Sequence, residues 1–274
     1  MTSKTKLSKE ILKKINHRLR SNEDNDLVQL INQGHQGIAF QMDVDGQSFL
    51  VKKTNKASPF AGRISQYFIN HEYKIYQRLE GITGIPKCYG LSDDGSLILE
   101  FIDGHSYREK ERTLEGRDQF FADLLTLILT IHAGGVSHGD LKRKDNILIG
   151  ENNQPYLIDF GTAMTLNPKD QFIKHWLYSF SKQTDLNAWI KHKYSRQYDR
   201  IEEDDLVYYS SSKMDKLVRL TRRFWRTLTF RQLRKERATK KIIENARTPP
   251  TILLANSFDR LVYNLESSCP VEGR

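Results

Sequence analysis

The chain has 274 residues, a net charge of +9 and 38% hydrophobic residues, enough for one domain with a sizeable core and short extensions. Its two cysteines, Cys88 and Cys269, lack metal-ligand spacing, which argues against a disulfide framework and for free thiols in a reducing compartment. No apolar run reaches the length of a signal peptide or a membrane span, so the expected setting is cytoplasmic.

In chain order, residues 7–20 place Leu7, Ile11, Ile15 and Leu19 on one side of a short helix capped by Ser8, and 21–26 read as a linker. In 31–40, Gly34 and Gly37 stand three residues apart. That spacing lets backbone N–H groups approach phosphate oxygens with no side chain intervening, although a hairpin turn would use the same residues. Residues 47–52 form an apolar strand ending in Lys52, and alternation sends Lys53 to the other face. The spacing predicts a helix over 61–79, with Ile64, Phe68, Tyr73, Ile75 and Leu79 as candidate buried positions and Glu72 inside the run. Taken alone, Glu72 is an ordinary solvated helix residue. After the turn Gly84-Ile85-Pro86, residues 96–104 read as a buried strand followed by a hinge. An apolar helix over 120–132 leads through Gly134-Gly135 to the next segment, with His132 and His138 read as packed structural residues.

Residues 138–161 carry the most chemistry. The run His138-Gly139-Asp140-Leu141-Lys142-Arg143-Lys144-Asp145-Asn146 precedes an apolar strand, a turn, and Tyr156-Leu157-Ile158-Asp159-Phe160-Gly161. Two carboxylates and an amide in a strand-turn-strand can hold Mg²⁺, and the first Asp can take a proton from an incoming hydroxyl. That combination serves phosphoryl transfer, which depends on positioning and charge neutralisation.

These residues resemble the catalytic loop and Asp-Phe-Gly element of the protein-kinase-like superfamily, and the resemblance extends over about 31–193. It implies an α+β, bilobal fold: a small antiparallel-sheet N-lobe with one main helix, and a reduced, mostly helical C-lobe. The implied boundaries are 1–26 for an N-terminal extension, 27–103 for the N-lobe, 104–247 for the C-lobe and 248–274 for a tail. The cofactors implied are ATP and Mg²⁺. By resemblance, Gly34 and Gly37 lie over the nucleotide, Ala39 and Leu99 line the adenine slot, and the backbone of Glu100 and Ile102 binds adenine. Lys52 and Glu72 orient the phosphates, Asp140 is the catalytic base, Lys142 sits near the transferred phosphate, and Asn146 and Asp159 are metal ligands.

Three departures from the family pattern stand out. Asn146 follows Asp140 by six residues where the family has five, which leaves Asp145 or Asn146 open as the metal ligand. Gly139 replaces the Arg that anchors a phosphorylated activation loop, so no activation by loop phosphorylation is expected. No Ala-Pro-Glu element follows Gly161. The His-Gly-Asp form is similar to RIO and Bud32-type kinases, aminoglycoside phosphotransferases and lipopolysaccharide-core kinases. The Lys142-Arg143-Lys144 run and residues 185–193 look most like the last group. The favoured acceptor is therefore a lipopolysaccharide inner-core sugar. The alternatives are a protein Ser or Thr, as in RIO-like kinases, and a catalytically inactive pseudokinase scaffold.

The basic charge is local. Residues 213–241 carry 12 Lys or Arg against Asp215 and Glu236, a net +10 that accounts for the whole excess. Leu217, Leu220, Phe224 and Leu228 make this a basic amphipathic helix. It is read either as resting on an anionic membrane surface or as packing on the C-lobe with a solvated basic face. A nucleic-acid role rests on this segment alone and ranks lower. A further helix is expected over 252–265.

Overall fold

The computed structural model describes residues 7–21, 28–34, 37–54, 59–167 and 169–210. The segments expected as helices over 213–241 and 252–265 lie outside these residues, as does Cys269.

The N-terminal half is built on a five-stranded antiparallel sheet in the order β1-β2-β3-β5-β4, comprising β1 (Val28–Gly34), β2 (Gly37–Val44), β3 (Gln47–Lys53), β4 (Cys88–Leu91) and β5 (Leu97–Glu100). Strand alternation gives the sheet two apolar faces. On one face Met42, Val44, Phe49, Val51 and Ile98 are buried against α1 (Lys9–Ser21), which contributes Ile15 and Leu19. Ser8 caps this helix, its Oγ accepting from the Ile11 N–H at 3.2 Å. On the other face Leu97 and Leu99 join the core beneath α2 (Pro59–Arg78). Lys53 follows the α1 face, donating to the Leu19 carbonyl and pairing with Asp94 at 3.6 Å. Lys52 is left on the α2 face.

The second half is mostly helical. α3 (Tyr107–Lys110) is a single turn, and α4 (Arg117–Ala133) packs on α5 (Phe172–Lys193). The Trp189 indole N–H donates to the Phe121 carbonyl at 2.8 Å, and the Tyr178 hydroxyl donates to that of His132 at 2.9 Å. Two small sheets carry the intervening loops: β6 (His105–Ser106), β8 (Ile147–Ile149) and β9 (Pro155–Leu157) in one, β7 (Val136–Ser137) with β10 (Met164–Thr165) in the other. One apolar core runs without a break from Ile69, Tyr76 and Leu79 on α2 through Phe121 and Ile128 on α4 to Trp189 on α5.

The buried stripe of α2 differs from the sequence expectation. Ile75 and Leu79 are buried, but Ile64 is 42% exposed, and the core-facing positions are Ser65, Ile69, Glu72 and Tyr76. Hydrophobicity alone rotates the face, because a carboxylate and a hydroxyl occupy the inner line.

Candidate active site

The site lies where β3, α2 and the loops flanking β8 and β9 meet. Lys52 reaches from β3 to Glu72 on α2, Nζ to Oε1 2.6 Å, and stands 3.6 Å from Asp159 Oδ1. The same Glu72 oxygen accepts the Phe160 N–H at 3.2 Å, so one buried carboxylate ties the β3 lysine to the Asp159-Phe160 corner. Burial opposes the Lys52 charge, but Glu72 and Asp159 outweigh it and its pKa goes up. Burial likewise opposes ionisation of Asp159, and the charges of Lys52 and Arg143 overcome it, holding that carboxyl below its ordinary range. Asp159 adopts a left-handed backbone, φ 64°, a strained conformation for a residue with a Cβ. Phe160 is buried beneath it, its ring 5.2 Å edge-on from Tyr76 and 4.7 Å from His138.

The loop 138–146 is held from below. His138 donates from Nε2 to the Ile158 carbonyl at 2.9 Å, while Nδ1 accepts the Asp140 N–H at 3.4 Å. Gly139 has φ 79°, and a Cβ there would stand 3.0 Å from the Thr162 carbonyl oxygen. The glycine that replaces the family's Arg is thus demanded by the backbone. Asp185, fully buried on α5, accepts the His138 N–H at 2.7 Å and the Gly139 N–H at 2.9 Å, with His132 Nε2 at 3.1 Å. Asn146 is buried and donates from Nδ2 to the Asp140 carbonyl at 3.0 Å, whereas Asp145 turns outward to Arg108 at 2.6 Å. Lys142 is half-buried, and its carbonyl accepts from Lys191 Nζ at 3.5 Å.

Around the cleft, Ala39 pairs with Lys52 across β2 and β3, and buried Leu99 pairs with Leu50. Gly34 and Gly37 face each other at the end of the β1–β2 hairpin; residues 35–36 between them lie outside the described set. Glu100 spends its N–H on the Lys87 carbonyl at 2.8 Å and its carboxylate on the Lys87 amine at 3.0 Å. Ile102 follows in the irregular segment before β6.

The geometry therefore joins Lys52, Glu72 and Asp159 directly and links Asn146 to the backbone of Asp140. Asp145 is directed elsewhere. Sequence reasoning missed three positioning groups. Asp185 was quoted only within a stretch of resemblance, and an Asp in a helix has no signal that distinguishes burial from exposure. Arg78 on α2 donates to the carbonyls of Gly134 and Leu166 and to Asn167, at 2.8 to 3.0 Å, and His71 Nε2 meets the Ala163 carbonyl at 2.9 Å. Both would pass in the sequence as solvated helix residues.

Among the described residues no group of three or more His, Cys, Asp or Glu could hold a metal ion. A carboxylate at Asp159 held below its ordinary pKa, with the Asn146 amide, suits a divalent cation.

A lysine clamped by a helix glutamate against a loop aspartate, in a cleft between a five-stranded sheet and a helical half, is the architecture of ATP-dependent kinases. The family model described as protein kinase domain matches residues 26–184, and the chain belongs to that family. It is 29% identical over 107 residues to the probable serine/threonine-protein kinase fnkB of Dictyostelium discoideum, covering 36% of this chain and 20% of that protein. It is 34% identical over 134 residues to a probable casein kinase I homolog of Encephalitozoon cuniculi, covering 43% and 38%. With the EKC/KEOPS complex subunit BUD32 of the same organism it shares 28% identity over 151 residues, covering 54% and 74%. The matched part thus spans a fifth to under two fifths of the first two relatives and about three quarters of the third.

Proposed function

We propose that the chain is an active phosphotransferase that moves the ATP γ-phosphate to a Ser or Thr hydroxyl of a protein. The observation that carries this reading is the assembled Lys52–Glu72–Asp159 contact, with the Phe160 N–H closing it on Glu72. A pseudokinase would have no need to keep these charges buried and paired.

In this mechanism Lys52, fixed by Glu72, holds the α and β phosphates. Asp159 and Asn146 would hold the Mg²⁺, which would supply neutralisation of phosphate charge. The ion pair of Asp145 with Arg108 favours Asn146 over Asp145 in that role. Gly34 and Gly37 bring backbone N–H groups over the phosphates, Ala39 and Leu99 enclose the adenine, and the backbone at Glu100 and Ile102 binds its edge. Asp140 orients the acceptor hydroxyl and takes its proton as the oxygen–phosphorus bond forms and ADP departs with the bridging oxygen. Lys142 offsets charge on the phosphoryl group in flight. The Asp185 carboxylate keeps the backbone before Asp140 in place.

The glycolipid acceptor expected from the likeness to lipopolysaccharide-core kinases has no support in the names of the three relatives above, which are those of protein kinases and a complex subunit. A protein hydroxyl therefore takes first place. The test is transfer from labelled ATP to a protein lysate and, in parallel, to core glycolipid. Asp140→Asn and Asp159→Asn should each abolish transfer, a fall of about 10³-fold or more in kcat. Undiminished transfer by the double variant would overturn the assignment, and labelling of glycolipid alone would reverse the choice of acceptor.

For residues 213–241 we keep the proposal of contact with anionic lipid, carried by their sequence alone. Among the described residues no helix is long and apolar enough to cross a membrane. Salt-sensitive sedimentation with anionic vesicles is expected, and the proposal fails if it persists in R222E/R223E/R226E.

A further inference from the structure

The outer side of α5 is apolar where a solvated helix face would be polar. Tyr178, Ser181, Asp185 and Trp189 are buried and turn one side of the helix into the molecule. On the other side Phe172 is 83% exposed, Ile173 67% and Trp176 49%, with Leu177 exposed beside them. Phe180, partly buried, continues the line, its ring stacked on Trp176 with centroids 6.4 Å apart. A groove of about 400 Å³ opens along it, lined by Ile173 and Leu177 with Lys169, Asp170 and Lys174. At about 150–250 Å² for a whole large side chain, the exposed fractions amount to roughly 450 Å² of apolar surface, a patch of the size that on a monomer often marks an interface.

The pattern of this face indicates what covers it. Phe172, Trp176 and Phe180 recur every four residues and form one ridge centred on Trp176. Reversing the chain direction leaves the ridge unchanged, with Phe172 falling on Phe180 and Trp176 on itself. A two-fold axis at Trp176 has that effect, because an isologous contact meets its own surface in reverse. The charges fit the same arrangement. Asp170 and Lys182 each stand six residues from Trp176, and Lys169 and Gln183 each stand seven. Antiparallel pairing therefore brings the Asp170 carboxylate level with the Lys182 amine, and Lys169 level with a neutral amide. Parallel pairing would set each of these charges level with its like, which is unfavourable.

We propose that the outer face of α5 is the contact surface of a two-fold dimer, its occupant the same face of a second copy of this chain, paired antiparallel through Trp176. Helices that interdigitate along four-residue ridges cross at about −50°, so the two α5 helices touch over their central turns and diverge at their ends. Two such patches supply about 900 Å², and the polar flanks bring the contact to about 1,200 Å², the low end for a specific interface. A reversible dimer with a dissociation constant of about 1–10 μM is the corresponding expectation.

The test is sedimentation velocity of the full chain over about 0.5–100 μM, a range that brackets that constant. The mass should rise with concentration and level off at twice that of one chain, since an isologous contact closes on itself. Phe172→Ser and Trp176→Ser should each weaken the dimer about tenfold or more, as expected of aromatic anchors at the centre of an interface. Leu30→Ser, which removes an exposed apolar side chain from β1, should leave it unchanged. Phe172 and Trp176 are both exposed, and two separate variants keep the test readable should one of them fold poorly. The proposal is overturned if the chain stays monomeric to the highest concentration, or if association grows past the dimer. It is equally overturned if both α5 variants dimerise as the wild type does, or if Leu30→Ser weakens the dimer as much as they do. Association is read without nucleotide or acceptor, so the outcome is independent of the phosphotransferase assignment.

Discussion

At the scale of single residues, Asp185 shows how a group remote from the reacting atoms can decide the geometry of the site. Its carboxylate is fully buried and accepts two backbone N–H bonds from the residues immediately before Asp140. Hydrogen bonds to a buried charge contribute about 1.5–3 kcal/mol each, and an amide in its place offers one acceptor oxygen and forces an N–H against a donor. Asp185→Asn is therefore expected to cost about 3 kcal/mol of stability. It should also lower kcat while leaving KM for ATP nearly unchanged, since Lys52 and Asp159 are held by other contacts. Urea denaturation and ATP kinetics on the same variant check both halves. A variant with full kcat would show that the catalytic loop holds its shape without α5.

At the scale of elements, α2 is the part whose position decides whether Glu72 meets Lys52. It is fastened at two levels to the segment after Phe160: His71 to the Ala163 carbonyl, and Arg78 to Leu166, Asn167 and Gly134. These contacts use carbonyls and one amide, with no phosphate required, in keeping with a Gly at 139 where a phosphate-anchoring Arg would stand. Arg78→Ala should loosen α2 and lower kcat/KM for ATP by about tenfold, the worth of one or two charged hydrogen bonds discounted for exposure. Mass spectrometry of active wild-type chain should find no essential phosphate between residues 160 and 187. The elements themselves were legible, because Lys52 ends an alternating strand, Ser8 caps an amphipathic helix and 138–161 carries its chemistry in contiguous residues. The inner face of α2 was not legible, since Ser65 and Glu72 lie on it and apolar spacing points to Ile64 instead. Where the Asp145 side chain goes also needed coordinates: adjacent residues in a tight turn point opposite ways, and only the position of Arg108 shows which is drawn outward.

At the scale of the molecule, a core continuous from α2 to α5 means that groups buried near either end report on the stability of the described part as one unit. His192 is the clearest such reporter. It is buried at the end of α5, donates from Nε2 to the Leu141 carbonyl, and has no partner for Nδ1 among the described residues. Burial, reinforced by the charges of Lys191 and Lys144, pushes its pKa from 6.5 down to about 4. Since the folded value lies below the unfolded one, the unfolded chain binds the extra proton between these limits, so the His192 contribution is complete above pH 6.5 and erodes as pH falls toward 4. The depressed carboxylates Asp159, Asp94 and Glu111 contribute with the same sign, but lose their share only as pH falls through values below their ordinary range. The span between pH 6.5 and about 5 therefore belongs mainly to the histidine. At about 1.4 kcal/mol per pH unit for one full proton, the wild-type chain should lose about 2 kcal/mol over that span. His192→Gln, less stable at pH 7.5 for want of a well-placed donor to Leu141, should show a nearly flat urea midpoint between pH 6.5 and 5. A wild-type midpoint that does not move with pH there would mean that His192 accepts its proton in the folded state, and the neutral, buried contact to the catalytic loop would have to be abandoned.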